Sequence, residues 1–453
     1  MNYLTLNLFL YILFFIILFL ELNNSMKKNY FIFTIFLFLL YFFSVNLYSW
    51  HLNFLSLDFW RLSILFLLLT VFLIIISIIK DKRFEIILLN LMILFAAIML
   101  IFSNHLILVY LLLELQTFSV FILISKNKSS IKGSEASLKY FILGALSSGL
   151  FLLGLSFIFS SNLSMSIEDL SILSNFECYT IKIGIILIIL SLFFKLAIFP
   201  LHFWIADIYE GSSWGTLSII STIPKISVLY ILCQINIFSD FITFSSILSI
   251  IVGTLGALNQ TKIKRLLAYS GISHMGFILL GLSIVNKLGY EASFLYLIIY
   301  ISSILIIFLL TKYENFSINN YIIELSSLNQ YNKTLAFSWL IVLLSIAGIP
   351  PLSGFISKWF ILSSMINFNF IIISVIGIIF SAIGAGYYLR IVKIIYFQKK
   401  GSYFLWNSII NSKYNCNITQ SYFLGFLIYI SIFIIVQPNF LLMFSNLSFN
   451  YFI

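Results

Sequence analysis

FFKLAIFPLHFWIADIYEG, residues 193 to 211, opens inside an apolar run that begins near residue 181. The run contains Lys195, meets Pro200 and then gives way to Asp207, Glu210 and Gly211. An uninterrupted apolar stretch of about 18 residues reads as a membrane helix. Proline removes a backbone donor and obstructs the preceding turn, so inside hydrocarbon a break is tolerated only where the freed groups face protein or water. A charge at that depth costs at least about 2.5 kcal/mol and persists where it pairs, lines a wet cavity or carries ions. The stretch therefore predicts a broken membrane helix beside an ion path.

Further along, LLSIAGIPPLSGFISKWFIL, residues 343 to 362, repeats the theme: Gly348, Pro350 and Pro351 interrupt an apolar run, and Lys358 follows seven residues after Pro351. The whole chain of 453 residues is 62% hydrophobic and only 9% charged, with a mean hydropathy of +1.12. That composition excludes a water-soluble globule. Apolar windows place helices near 3–22, 29–47, 58–79, 84–102, 104–125, 137–160, 181–200, 215–236, 241–258, 264–285, 291–312, 335–363, 367–392 and 421–444. The expected fold is thus an all-α polytopic membrane protein of about fourteen transmembrane helices, with the seventh and twelfth discontinuous. Paired interruptions five spans apart point to two inverted five-helix repeats. The divisions expected are 1–83, an N-terminal three-helix segment; 84–236, the first repeat; 237–395, the second; and 396–453, a loop and last helix. The repeat rests on the interruptions alone, without visible identity between the halves.

If the loops alternate sides, 19 of the 25 lysines and arginines fall in the odd-numbered connections. Such asymmetry is the positive-inside pattern, with both termini on the outer side. The net charge of +10 then reflects topology, and no nucleic-acid partner is implied. Cys178, Cys233 and Cys416 form no CxxC pair, so neither a disulfide framework nor a zinc or iron–sulfur site is expected. Residues 3 to 20 read as a retained helix rather than a targeting peptide. Abundant Phe, Ile, Asn and Tyr beside little Ala hint at an AT-rich, organellar genome.

Four charges lie inside the spans: Glu114, Lys195, Lys225 and Lys358. At about 1.5 Å rise per residue, Glu114 and Lys225 each lie roughly 15 Å into their helices, near the centre of a core about 30 Å thick. Lys195 precedes its break and Lys358 follows its own, as inverted partners would. A carboxylate within about 4–6 Å strengthens a lysine's hold on its proton, so movement of Glu114 relative to Lys195 would switch that lysine between holding and releasing one. A static buried ion pair is the alternative. His274, about ten residues into the tenth span, is a candidate relay between lysines or a hydrogen-bonded packing residue. His202, beside Trp204, reads as an interfacial anchor, and Glu135 as a complement to the sixth helix N-terminus. Gly144, Ser148, Gly149 and Gly154 suit close helix contact.

FFKLAIFPLHFWIADIYEG, with PKISVLYIL from Pro224, resembles the antiporter-like membrane subunits of respiratory complex I and of the multisubunit cation/proton antiporters. SEASLKYFILGALSSGLFLLG (134 to 154), IKRLLAYSGISHMGFILLG (263 to 281) and residues 343 to 362 are similar to the branch called subunit 2 or subunit N of NADH:ubiquinone oxidoreductase. The likeness runs from about residue 84 to 395. By motif it makes Glu114, Lys195, Lys225 and Lys358 the proton-channel charges, with Pro200, Pro350 and Pro351 at the helix breaks. Lys358 separates this branch from subunit 4, which has a glutamate there. Ser212, Ser213 and Trp214 depart from the small residue and proline usual after YEG, and Pro224 lies unusually close to Lys225.

The resemblance implies a core membrane-arm subunit that couples NADH-to-ubiquinone electron transfer to proton translocation. NADH, FMN, iron–sulfur clusters and ubiquinone would sit on other subunits, with no metal or cofactor here. Partners would be antiporter-like subunit 4, the small subunits 4L, 6 and 3, accessory subunits, and lipids such as cardiolipin, in the mitochondrial inner membrane rather than a bacterial plasma membrane. A subunit of a multisubunit Na⁺/H⁺ antiporter is the rival reading. A scaffold that has lost pumping is another.

Overall fold

The computed structural model describes residues 51–438 apart from 53–54, 57–58, 80–82, 127–129, 161–165, 168–178, 236–238, 315–320, 327 and 399–417. The first two expected spans lie outside the described residues.

Apart from a small antiparallel hairpin pairing His51–Leu52 with Leu55–Ser56, the described chain is helical. The helices in order are α1 (Phe59–Ile78), α2 (Phe84–Phe102), α3 (Leu106–Ser125), α4 (Ile131–Ser160), α5 (Tyr179–Leu196), α6 (Ile205–Gly211), α7 (Trp214–Ile220) and α8 (Ile223–Gln234). They continue with α9 (Ser239–Leu258), α10 (Ile263–Ser283) and α11 (Lys287–Glu314). After short turns come α12 (Lys333–Ala347), α13 (Ser353–Asn367), α14 (Ile371–Phe397) and α15 (Ile418–Val436).

Ten spans among the described residues are long and apolar enough to cross a membrane, with Lys333–Ala347 and Gln420–Ile434 as shorter apolar helices. The protein is a multi-pass membrane protein. α10 and α11 are almost wholly buried, as central helices of a bundle must be. α4 instead presents Leu138, Ile142 and Leu146, each more than half exposed and spaced one turn apart. That is the lipid- or partner-facing stripe of a peripheral helix.

Both expected interruptions are present, and they are built alike. α5 ends at Leu196, four residues before Pro200, because Ala197 takes a left-handed conformation with φ 57°. The Ile198 N–H bonds the Phe193 carbonyl at 3.0 Å and the Ala197 N–H bonds Phe194 at 3.0 Å. α12 ends at Ala347 in the same way, with Gly348 at φ 80°. There the Ile349 N–H bonds Leu344 at 3.2 Å and the Gly348 N–H bonds Ser345 at 3.0 Å. Each pair is the two-bond closure of a left-handed C-terminal cap. LAIFPL at 196 to 201 thus corresponds to AGIPPL at 347 to 352, an identity between the halves that appears only once the caps set the register.

Three expectations need correction here. The eighth span is itself interrupted at Ser221 and Thr222, splitting it into α7 and α8. Pro224 becomes the second residue of α8, where a missing N–H costs little. α4 starts at Ile131 rather than 137, so Glu135 lies beyond the first turn and pairs with Lys139 at 2.6 Å instead of serving the N-terminus. Of the α4 small residues, Gly154 meets Gly184 of α5 closely, whereas Gly144 and Gly149 have no neighbour within 4 Å of where a Cβ would lie.

Candidate functional site: a buried lysine and histidine relay

The broken helices leave carbonyls without intrahelical partners, and polar side chains fill the need. At the α12 end, Lys358 Nζ donates to the Ala347 carbonyl at 2.7 Å. At the α5 end, Trp204 Nε1 donates to the Phe194 carbonyl at 3.0 Å. Orphan helix-end carbonyls are natural partners for such donors. Lys358 is buried, with its ammonium 5.8 Å from the Phe277 ring centroid.

Lys225 is 3% exposed. It sits one turn after the α7/α8 interruption and donates to Tyr300 Oη at 3.0 Å. Its ammonium also lies 5.3 Å from the Tyr300 ring centroid, where the ring face attracts a cation. Gly271 faces both groups: a Cβ there would come within 3.1 Å of Tyr300 Oη and 3.4 Å of Lys225 Nζ.

His274 lies within the electrostatic reach of both Lys225 and Lys358. Its ring is buried. Nδ1 bonds Tyr296 Oη at 2.7 Å and Nε2 bonds Tyr388 Oη at 3.2 Å, so both nitrogens have hydroxyl partners that either donate or accept. The ring also lies 5.2 Å from that of Tyr300. Lys225, Tyr300 and His274 thus form one buried polar cluster with Tyr296 and Tyr388, and Lys358 acts on it through its charge.

Glu114 and Lys195 form the other end of the site. Glu114, on α3, acts electrostatically on Lys195, Tyr110 and Tyr140. Among the described residues no ion pair of 4.0 Å or less joins Glu114 to Lys195. The static buried pair weighed from the sequence is therefore not formed. Lys195 is the penultimate residue of α5; its stem is partly exposed, yet its Nζ is buried and has no hydrogen-bond partner among the described residues. Gln116, two residues after Glu114, reaches Ser227 Oγ at 3.5 Å, two residues after Lys225. This contact ties the glutamate helix to the second lysine helix.

Several functional-looking groups escaped the sequence. The tyrosines of the polar cluster carry no charge, and only the one-turn spacing of Tyr296 and Tyr300 within an apolar helix marks them. Asp207 and Glu210 become the hub of an ion cluster at the start of α4 and α10. Glu210 pairs with Lys132 at 2.8 Å, Lys262 at 2.5 Å and Arg265 at 2.5 Å. Asp207 pairs with Lys139 at 2.6 Å and Arg265 at 3.1 Å. Burial alone would push the Glu210 carboxyl up, but hydrogen bonds from Lys132 and Lys262 and the nearby Arg265 charge outweigh it and hold the group at about 2. His202 is 7% exposed, because the 197 to 204 link folds it against Phe199 and Phe203. Among the described residues, no group of three or more His, Cys, Asp or Glu side chains is placed to hold a metal ion.

Residues 103–384 match the family described as NADH:quinone oxidoreductase/Mrp antiporter, TM. The chain is 38% identical over 364 residues to NADH-ubiquinone oxidoreductase chain 2 of Metridium senile, covering 79% of this chain and 94% of that one. It is 37% identical to NADH-quinone oxidoreductase subunit N of Pelagibacter ubique, over 66% of each. Its fold is shared with a chain of respiratory complex I from Thermus thermophilus, at TM-score 0.80 and 24% identity over 90% of this chain and 91% of that one. It is also shared with a chain of the Mrp complex from Dietzia, at TM-score 0.76 and 18% identity over 87% and 83%. The broken helices, the buried lysines and these matches lead to one assignment: the chain belongs to the NADH:quinone oxidoreductase/Mrp antiporter family of membrane subunits.

Proposed function

We propose that this chain is the subunit 2, or subunit N, component of a proton-translocating NADH:quinone oxidoreductase. In this reading Glu114, Lys195, Lys225 and Lys358 carry the protons, with His274 as the relay between the last two lysines. The observation that supports it most directly is the buried cluster in which Lys225 meets Tyr300, whose ring lies against that of His274, with His274 in the electrostatic reach of both lysines. Lysine and imidazole can each hold or release a proton, and hydroxyls on both imidazole nitrogens let the ring accept on one side while donating on the other.

Glu114 would set the first step. With no close ion pair in this state, its approach to Lys195 would favour the protonated lysine and its withdrawal would favour release. Water would carry the proton on to Lys225. The residues 84–236 and 237–395 would act as two inverted units, each with one helix closed by a left-handed cap ahead of its proline. Redox groups would reside on other subunits, and the contacts along the membrane would be with antiporter-like subunit 4, subunits 4L, 6 and 3, accessory subunits and anionic lipid such as cardiolipin. A mitochondrial inner membrane fits the organellar composition and the likeness to a chain 2 protein. The rival antiporter reading is weaker, since the likeness to chain 2 is 38% against 18% for the Mrp chain.

Proton uptake by vesicles holding the assembled complex tests the reading. Lys195→Ala and Lys225→Ala are each expected to lower NADH-driven uptake by about 100-fold. Unchanged proton yield per electron in both variants would refute it.

A further inference from the structure

Where the α5 to α6 link meets α9 and α10, an open cavity of about 400 Å³ is lined by His202, Phe203, Val252, Leu255, Gly256 and Tyr269, among others. That volume, with mainly apolar walls and few polar groups, is the build of a small-molecule pocket. Phe203 is 75% and Leu255 50% exposed, so the cavity opens sideways, on the outward face of a membrane-spanning helix.

Its depth follows from the helices. α9 has 20 residues, about 30 Å, which matches the thickness of the hydrocarbon core. Leu255 and Val252 lie about 5 and 9 Å from the last residue of α9, and Tyr269 about 9 Å from the first residue of α10. Those two helix ends flank the connection that carries Lys262. The cavity therefore sits just inside the leaflet boundary on the side of the basic loops, where lipid chains join their ester groups.

His202, on the cavity wall, is buried. The Pro200 carbonyl approaches its ring, but Nδ1 makes no hydrogen bond of acceptable geometry to any described residue. A buried ring nitrogen in that position is costly until a partner arrives. No lysine or arginine lines the cavity, so the ring suits an uncharged carbonyl, which accepts from an imidazole N–H, better than a phosphate. We propose that this cavity is a binding site for a diacyl phospholipid of that leaflet: one acyl chain enters past Phe203 and Leu255, and its ester carbonyl accepts a hydrogen bond from His202.

Occupancy is read without proton transport, so the outcome is independent of the function proposed above. The assembled complex is irradiated in detergent with phosphatidylcholine carrying a diazirine on one acyl chain, and labelled peptides are mapped. Labelling of residues 203–206 and 251–256 should saturate and be displaced by unlabelled phosphatidylcholine. Labelling of Leu138, Ile142 and Leu146, exposed on α4, should instead rise in proportion to added lipid. Leu255→Trp, which places an indole in the mouth, should abolish the saturable labelling and leave that of α4 unchanged. The ether-linked analogue keeps both chains but lacks the ester carbonyls; it should displace the probe about fivefold less well than the ester lipid from wild type, and equally well from His202→Phe. Labelling that does not saturate, or cross-linking from these positions to a neighbouring subunit in place of lipid, would overturn the site. So would saturable labelling that survives Leu255→Trp, or equal displacement by ester and ether lipids in wild type. Should either variant fail to assemble, saturation and the ester-to-ether ratio in wild type decide.

Discussion

Gly348 meets two demands at once. Its φ of 80° closes α12, and a Cβ there would lie 2.9 Å from Lys358 Nζ. Gly348→Ala therefore combines about 1–3 kcal/mol of backbone strain with displacement of the ammonium. The expected outcome is a lower thermal midpoint of the assembled complex and a loss of proton uptake, the two measured on the same preparation. Tyr300 offers a cleaner separation of chemistry from folding. Tyr300→Phe keeps the ring against His274 but removes the hydroxyl that receives Lys225. Proton uptake should fall by about tenfold while assembly, followed by native gel, is retained. Lys225 and Lys358 were legible in the sequence because charges are rare in apolar runs. Tyr300, Tyr296 and Tyr388 were not, since a tyrosine ring is at home in a core and nothing in its letter shows where the hydroxyl goes. The 25 tyrosines of the chain give too many candidates to choose from. The burial of His202 was not legible for a related reason: a histidine soon after a proline has the same local sequence on a surface as in a folded link.

At the scale of elements, the α6 helix buries Ile205, Ala206, Ile208 and Tyr209 in the core and is held by charge as well. It has only seven residues, too few to persist alone, and its Glu210 gathers cations from both sides, Lys132 from α4, Lys262 from the α9 to α10 connection and Arg265 from the first turn of α10. The carboxyl is held at about 2 against an ordinary 4.5. Its contribution to stability is thus complete above about pH 4.5 and is lost as the pH falls toward 2. Glu210→Gln should cost about 2 kcal/mol at neutral pH, a value kept modest by the exposure of its partners. The gap in thermal midpoint between wild type and variant should stay constant from pH 7 to about 5 and narrow progressively below it toward pH 2; an undiminished gap at pH 3 would exclude the electrostatic origin. The acidic letters after Pro200 showed that this segment does not face lipid, but their partners lie more than 50 residues away in sequence. Helix ends were harder still. The proline marked the α5 break, yet the helix stops earlier at Ala197, a residue whose letter gives no sign of a left-handed turn.

At the scale of the whole molecule, charge bias along the sequence and contacts in space agree on one arrangement. The connections rich in lysine and arginine meet one another: Lys132 and Lys262 share Glu210, the Ile322 N–H bonds the Thr261 carbonyl at 3.0 Å, and Arg390 donates to the Leu258 and Gln260 carbonyls at 2.9 and 2.5 Å. Lysine and arginine accumulate on the side that does not translocate, so these connections should share that side. The turns after α8, α10 and α13 then face the other. Of the fourteen spans expected, the first two fall outside the described residues, and ten described spans and two shorter apolar helices stand at the other twelve positions. Orientation is open to a direct test with single cysteines on exposed turns. Asn259→Cys and Gln330→Cys lie on the basic side, whereas Asn286→Cys and Asn369→Cys lie opposite. A membrane-impermeant thiol reagent added to sealed vesicles of one orientation should label one pair and spare the other, and inverting the vesicles should exchange them. Labelling of Asn259→Cys together with Asn286→Cys from a single side would break the alternation across α10. The placement of the ion cluster on the basic face would fall with it, because Lys262 and Arg265 of that cluster lie where α9 and α10 meet.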